Sequence, residues 1–188
     1  RTEVNDLSTA RTRGGGGGTQ TSALASSGYS GTAIIDPVEE FDGTSWSEVA
    51  ELNTDRYSTS AWGANAEANI VVGGTTGSVT AIAEQFNGSA WTEVADLNQS
   101  RYGLMGAGTT TAAVSFGGAD PGNNRIGNTE TWNGSAWTEV NDLNEGRFRL
   151  GSAQSATSTA ALAFGGADPG GAVASTETWN GTNWTEVN

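Results

Sequence analysis

The sequence predicts an all-β protein assembled from four copies of one four-stranded unit. Three observations carry this. One short string recurs at a nearly constant interval, aromatic, acidic and basic positions keep phase with it, and no stretch sustains the 3.6-residue apolar period of a helix.

The string Trp-Thr/Ser-Glu-Val begins at Trp46, Trp91, Trp137 and Trp184, at intervals of 45, 46 and 47 residues. Five residues before each Trp stands a second aromatic: Phe41, Phe86, Trp132 or Trp179. Two residues earlier comes Glu39, Glu84, Glu130 or Glu177. Ten residues after each start of the string comes an Arg: Arg56, Arg101 and Arg147, with Arg11 in the same phase relative to Arg1. An apolar triplet leads into Gly73-Gly74, Gly117-Gly118 and Gly165-Gly166, where the first repeat has Ser27-Gly28.

Each repeat reads as four short strands. In the third these are a small, Gly-rich strand over 103–108, an apolar strand over 113–116, and strands over 129–132 and 137–140. Asn133-Gly134 between the last two is a strong hairpin signal, matched by Asp42-Gly43, Asn87-Gly88 and Asn180-Gly181. The expected units are 6–49, 50–94, 95–140 and 141–188. Residues 1–5 repeat the register of 184–188, which predicts an extra outer strand and a place in a larger protein or assembly. The glycine run 14–18 falls in the first strand of the first repeat and predicts a weak strand close to other backbones.

Leu, Ile, Val and Phe supply only 29 of 188 residues, and the net charge is −13. Such a composition ordinarily indicates disorder. The phased aromatics argue otherwise. A buried aromatic hides about 150–250 Å², an upper bound of roughly 4–6 kcal/mol each. Because one four-stranded sheet cannot cover both its own faces, successive sheets must stack.

The combined pattern, Gly-Gly after an apolar strand, then Glu-x-aromatic, a turn, Trp-Thr-x-Val, Leu and Arg, resembles the kelch repeat. It is also similar to kelch-like arrays of marine phage and bacterial surface proteins. The resemblance implies a β-propeller with one four-stranded blade per repeat, hence four blades here.

Composition excludes several chemistries. There is no Cys and no His, so thiolate metal sites, cysteine nucleophiles and Ser-His-Asp triads are ruled out. No metal and no cofactor is expected. The acidic balance disfavours nucleic acid, and no apolar run is long enough to insert in a membrane as a helix.

The in-phase Arg and Glu residues are expected to pair structurally rather than to form an anion-capturing ring. Arg13, Arg125 and Arg149 fall outside the repeat pattern and are the better candidates for specific contacts. Trp62, also out of phase, is a candidate platform for a sugar ring. Asp120 and Asp168 open Asp-Pro-Gly turns in the variable loops and are candidate binding oxygens. Variable loops on a rigid scaffold are where function concentrates.

These readings converge on a non-catalytic structural or recognition module of an extracellular or virion surface assembly, such as a phage fibre, decoration or adhesion protein. Its expected partners are other protein subunits, copies of itself, or a cell-surface glycan. The alternatives are an intracellular peptide-binding adaptor and a carbohydrate-processing enzyme.

Overall fold

The computed structural model describes residues 4–153 and 157–187. Among these residues there are strands and turns and no helix. Four antiparallel sheets of four strands follow one another along the chain. Sheet I holds β1 (Gly15–Thr19), β2 (Ser22–Ser26), β3 (Val38–Phe41) and β4 (Trp46–Val49). Sheet II holds β5 (Ser60–Asn65), β6 (Ala68–Val72), β7 (Ala83–Phe86) and β8 (Trp91–Val94). Sheet III holds β9 (Met105–Gly108), β10 (Ala113–Phe116), β11 (Thr129–Trp132) and β12 (Trp137–Val140). Sheet IV holds β13 (Gly151–Ser152), β14 (Ala161–Phe164), β17 (Thr176–Trp179) and β18 (Trp184–Val187), with a small hairpin of β15 (Ala167–Asp168) and β16 (Gly171–Ala172) inserted.

The phased aromatics are cross-strand partners. Phe41 faces Trp46, Phe86 faces Trp91, Trp132 faces Trp137 and Trp179 faces Trp184, with ring centroids 5.1 to 5.4 Å apart. Such directly opposed pairs fix the register of the third strand on the fourth. The turns between them differ from the expected tight hairpin. They span four residues, and the Asn87, Asn133 and Asn180 side chains accept two backbone N–H bonds each at 2.8–3.0 Å. Asp42 does the same at 2.8 Å. The Asx side chain closes these turns, and left-handed backbone is needed only at the following Gly.

The first strands lie side by side in the order β1, β5, β9, β13. Close approach explains their small residues. A Cβ on Gly17 would stand 2.7 Å from the Gly63 amide nitrogen, so the glycine run lets β1 lie against β5. A Cβ on Gly106 would stand 2.3 Å from the Trp62 ring, which occupies that space.

Three apolar layers join the four sheets. Between sheets I and II, Leu24 and Val38 meet Val71, Phe86 and Trp91. Between II and III, Trp62, Ile70 and Val72 meet Trp132 and Trp137. Between III and IV, Val114 and Phe116 meet Ala163, Trp179 and Trp184. In each layer the Trp that starts the fourth strand packs back onto the preceding sheet. Trp91 donates its indole N–H to the Ala50 carbonyl at 2.9 Å, and Trp184 donates to Thr129 Oγ1 at 3.0 Å.

Among the described residues a fourth layer, from sheet IV to sheet I, is not formed. Phe164 takes the place of Phe116 and Val72, which are fully buried, yet it is 40% exposed. Leu162, Ala23 and Ala25 are only half-buried, although their counterparts in the other sheets are buried. Trp46 is half-buried, whereas Trp91, Trp137 and Trp184 are each 6% exposed. Backbone bonds tell the same story. Gly28 donates to Arg56 O, Gly74 to Arg101 O and Gly118 to Arg147 O, each linking one sheet to the next. Among the described residues no hydrogen bond or ion pair joins sheet IV to sheet I.

The expected extra strand at 1–5 lies partly outside the described residues. Val4 and Asn5, which are described, form no strand, and Val4 is exposed.

Trp137→Ala and Trp46→Ala should therefore differ, although both positions repeat the same motif. Denaturant unfolding should show a loss of about 3–5 kcal/mol for Trp137 and well under half of that for Trp46. Equal losses would mean that both Trp residues are equally covered.

Candidate functional site

The in-phase Arg and Glu residues form four ion pairs. Arg11–Glu39 lies at 2.6 Å, Arg101–Glu130 at 3.1 Å and Arg147–Glu177 at 2.8 Å, and Arg56 pairs closely with Glu84. All eight side chains are buried to within 6% exposure. These Arg residues are not accessible to a ligand. Burial pushes the Arg101 guanidinium down to about 10, with Glu130 pulling it back, so it stays charged at neutral pH.

Each pair holds the chain segment that enters its sheet. Asn53, Asn98 and Asn144 donate backbone and side-chain N–H bonds to Glu84, Glu130 and Glu177 at 2.6–2.8 Å. Their amides also reach the Trp91, Trp137 and Trp184 carbonyls. In sheet I the position is Ser8, which keeps the backbone bond to Glu39 at 2.6 Å and has no side-chain amide to reach Trp46. Burial raises the Glu39 pKa, but the Ser8 N–H, the Arg11 guanidinium and the Thr9 N–H outweigh it and hold the carboxyl below its ordinary range.

The remaining described Arg residues gather at one end of the first strands. Arg13 and Arg149 line one cavity of about 260 Å³ together with Tyr57, Ser58, Thr75 and Tyr102. Arg125 and Arg149 both lie over the Phe148 ring, at 4.2 and 4.8 Å from its centroid, and Arg13 lies 5.9 Å from that of Tyr57. Among the described residues none of these three Arg side chains has a carboxylate within ion-pair distance. Arg13 and Arg149 are exposed.

Arg13 and Arg149 do not stand outside the repeat, as the sequence reading had them. Both lie two residues after the in-phase Arg, where the other copies have Ser58 and Gly103. All four residues are left-handed, with φ of 57°, 55°, 62° and 54° in chain order. Backbone bonds pass from each to the next: Ser58 N to Arg13 O, Gly103 N to Ser58 O and Arg149 N to Gly103 O, at 2.7–2.8 Å. The aromatic wall was also overlooked. It comes from the residue directly after the in-phase Arg, which is Tyr57, Tyr102 and Phe148 in three copies.

Trp62 offers no face to a sugar. It is fully buried between sheets II and III, edge-on to Trp137 at 6.3 Å. Asp120 and Asp168 close local turns. Asp120 accepts from the Asn124 side chain and backbone, which hold its carboxyl below the usual range, and Asp168 accepts from Gly170 and Gly171. Among the described residues no three acidic side chains cluster as a metal site would require. A second cavity, of about 420 Å³, opens at the other end of the first strands, lined by Gly17, Gly63, Thr109, Thr157 and Ser158 and free of charged side chains.

No known family model matches the chain, and no curated protein matches it either.

Removing one member of a buried pair leaves the other charge unpaired. Glu177→Ala should cost about 3–5 kcal/mol in denaturant unfolding, and the double replacement Arg147→Met with Glu177→Leu should recover much of that. A double variant as unstable as the single one would show that the carboxylate acts through its bonds to Asn144 rather than through Arg147.

Proposed function

We propose that the four sheets are blades of a kelch-type propeller, and that the chain is a non-catalytic structural and recognition module of an extracellular or virion surface assembly. Its partner in assembly is a second copy of itself. The sheets repeat one motif, and their first strands lie side by side, as blades around an axis do. The observation that carries the assembly reading is the pair of unmatched faces. Sheet IV presents Leu162 and the exposed Phe164, and sheet I presents Ala23, Ala25 and the half-buried Trp46. These are the two halves of the layer already made three times within the chain. Sheet I of one copy on sheet IV of another is a head-to-tail contact, which propagates unless it closes. It would cover the apolar surface that a monomer leaves in water.

Sedimentation over a range of concentrations tests this. The wild type should self-associate, and Phe164→Arg and Trp46→Arg should each be monomeric. Each variant keeps one intact face, so mixing the two should restore a dimer. A wild type that stays monomeric at every concentration, or a mixture that does not pair, would overturn the assembly reading.

A further inference from the structure

We propose that the cavity between Arg13 and Arg149 binds one acidic sugar unit, a pyranose carrying a carboxylate of the uronic acid class. The proposal rests on the recognition half of the preceding reading and is independent of its assembly half.

Two guanidiniums that have ring contacts but, among the described residues, no carboxylate partner are the first support. The chain has 21 carboxylates and only 8 cations, so cations left without carboxylate partners within one cavity point to an anion from outside. Guanidinium forks bind carboxylates through paired, charge-assisted hydrogen bonds. Backbone strain is the second support. Left-handed backbone disfavours any residue with a Cβ. Gly103 meets this demand at the same repeat position, with φ 62°, whereas Arg13 and Arg149 adopt it at φ 57° and 54°. Ser58 also adopts it, at φ 55°, and its hydroxyl likewise lines the cavity, so at three of the four positions a side chain facing the cavity is held at the cost of strain.

The rest of the cavity selects what carries the anion. Tyr57 and Tyr102 offer aromatic surface, and Ser58 and Thr75 bring hydroxyls. A pyranose has both an apolar C–H face for the rings and hydroxyls for polar partners. A bare oxyanion would use neither. At about 260 Å³ the cavity lies below the usual range for drug-sized ligands and suits one ring rather than a chain segment.

Calorimetric titration of the Trp46→Arg variant, whose substitution starts the outermost strand at the end of sheet I away from Arg13, tests the site apart from assembly. The probes are glucuronate, glucose and inorganic sulfate. Glucuronate should bind, with glucose and sulfate at least about tenfold weaker. Adding Arg13→Gly or Arg149→Gly should weaken glucuronate about tenfold or more, while the melting temperature holds or rises because strain is relieved. No binding of glucuronate, or binding unchanged by the glycine variants, would overturn the proposal. Sulfate or glucose binding as well as glucuronate would overturn its acidic-sugar assignment.

Discussion

A four-stranded sheet with apolar residues on both faces gains most of its stability from covering both of them, and this constraint organises the molecule. It explains why each Trp at the head of a fourth strand turns onto the preceding sheet, and why Val72 and Phe116 lie wholly buried under the next one. It explains how a chain so poor in aliphatic residues folds at all. The area needed comes from a few large rings placed in register rather than from many small side chains. It also explains the small residues of the first strands, because neighbouring sheets converge there until Gly17 and Gly106 have no room for a side chain.

The buried Arg–Glu pairs serve the same end. A buried ion pair is weak support for stability in itself, since desolvation offsets most of its attraction. Its value here is positional. Glu84, Glu130 and Glu177 each gather an Arg, an Asn side chain and the backbone N–H of that Asn, and so fix where the chain enters a sheet relative to the Trp strand. Sheet I has the poorest version, with Ser8 in place of Asn and a half-buried Trp46, and it is also a sheet with an uncovered face.

Strands and pairings were legible because they are written four times. The interval between Trp91 and Trp137, and the aromatic five residues ahead of each, identify the third and fourth strands almost to the residue. The candidate site was only half legible. Arg13 and Arg149 were singled out as unusual, but their shared repeat position was hidden by Ser58 and Gly103, whose common feature is a backbone angle rather than a side chain. Trp62 misled for a related reason. A large ring in a strand of small residues looks exposed until Gly106 of the next sheet is seen to leave its space empty for it. The uncovered faces left no mark in the sequence, because Phe164 and Trp46 keep the pattern of their buried counterparts. Exposure there depends on what stands beside them.

Hydrogen exchange resolved by sheet tests the covering constraint most directly. At a concentration where the chain is monomeric, amides of sheets II and III should exchange slowest, and those of sheets I and IV should open more readily, since each has one face in water. Equal protection in all four sheets would mean that sheet IV already covers sheet I, and would contradict the account.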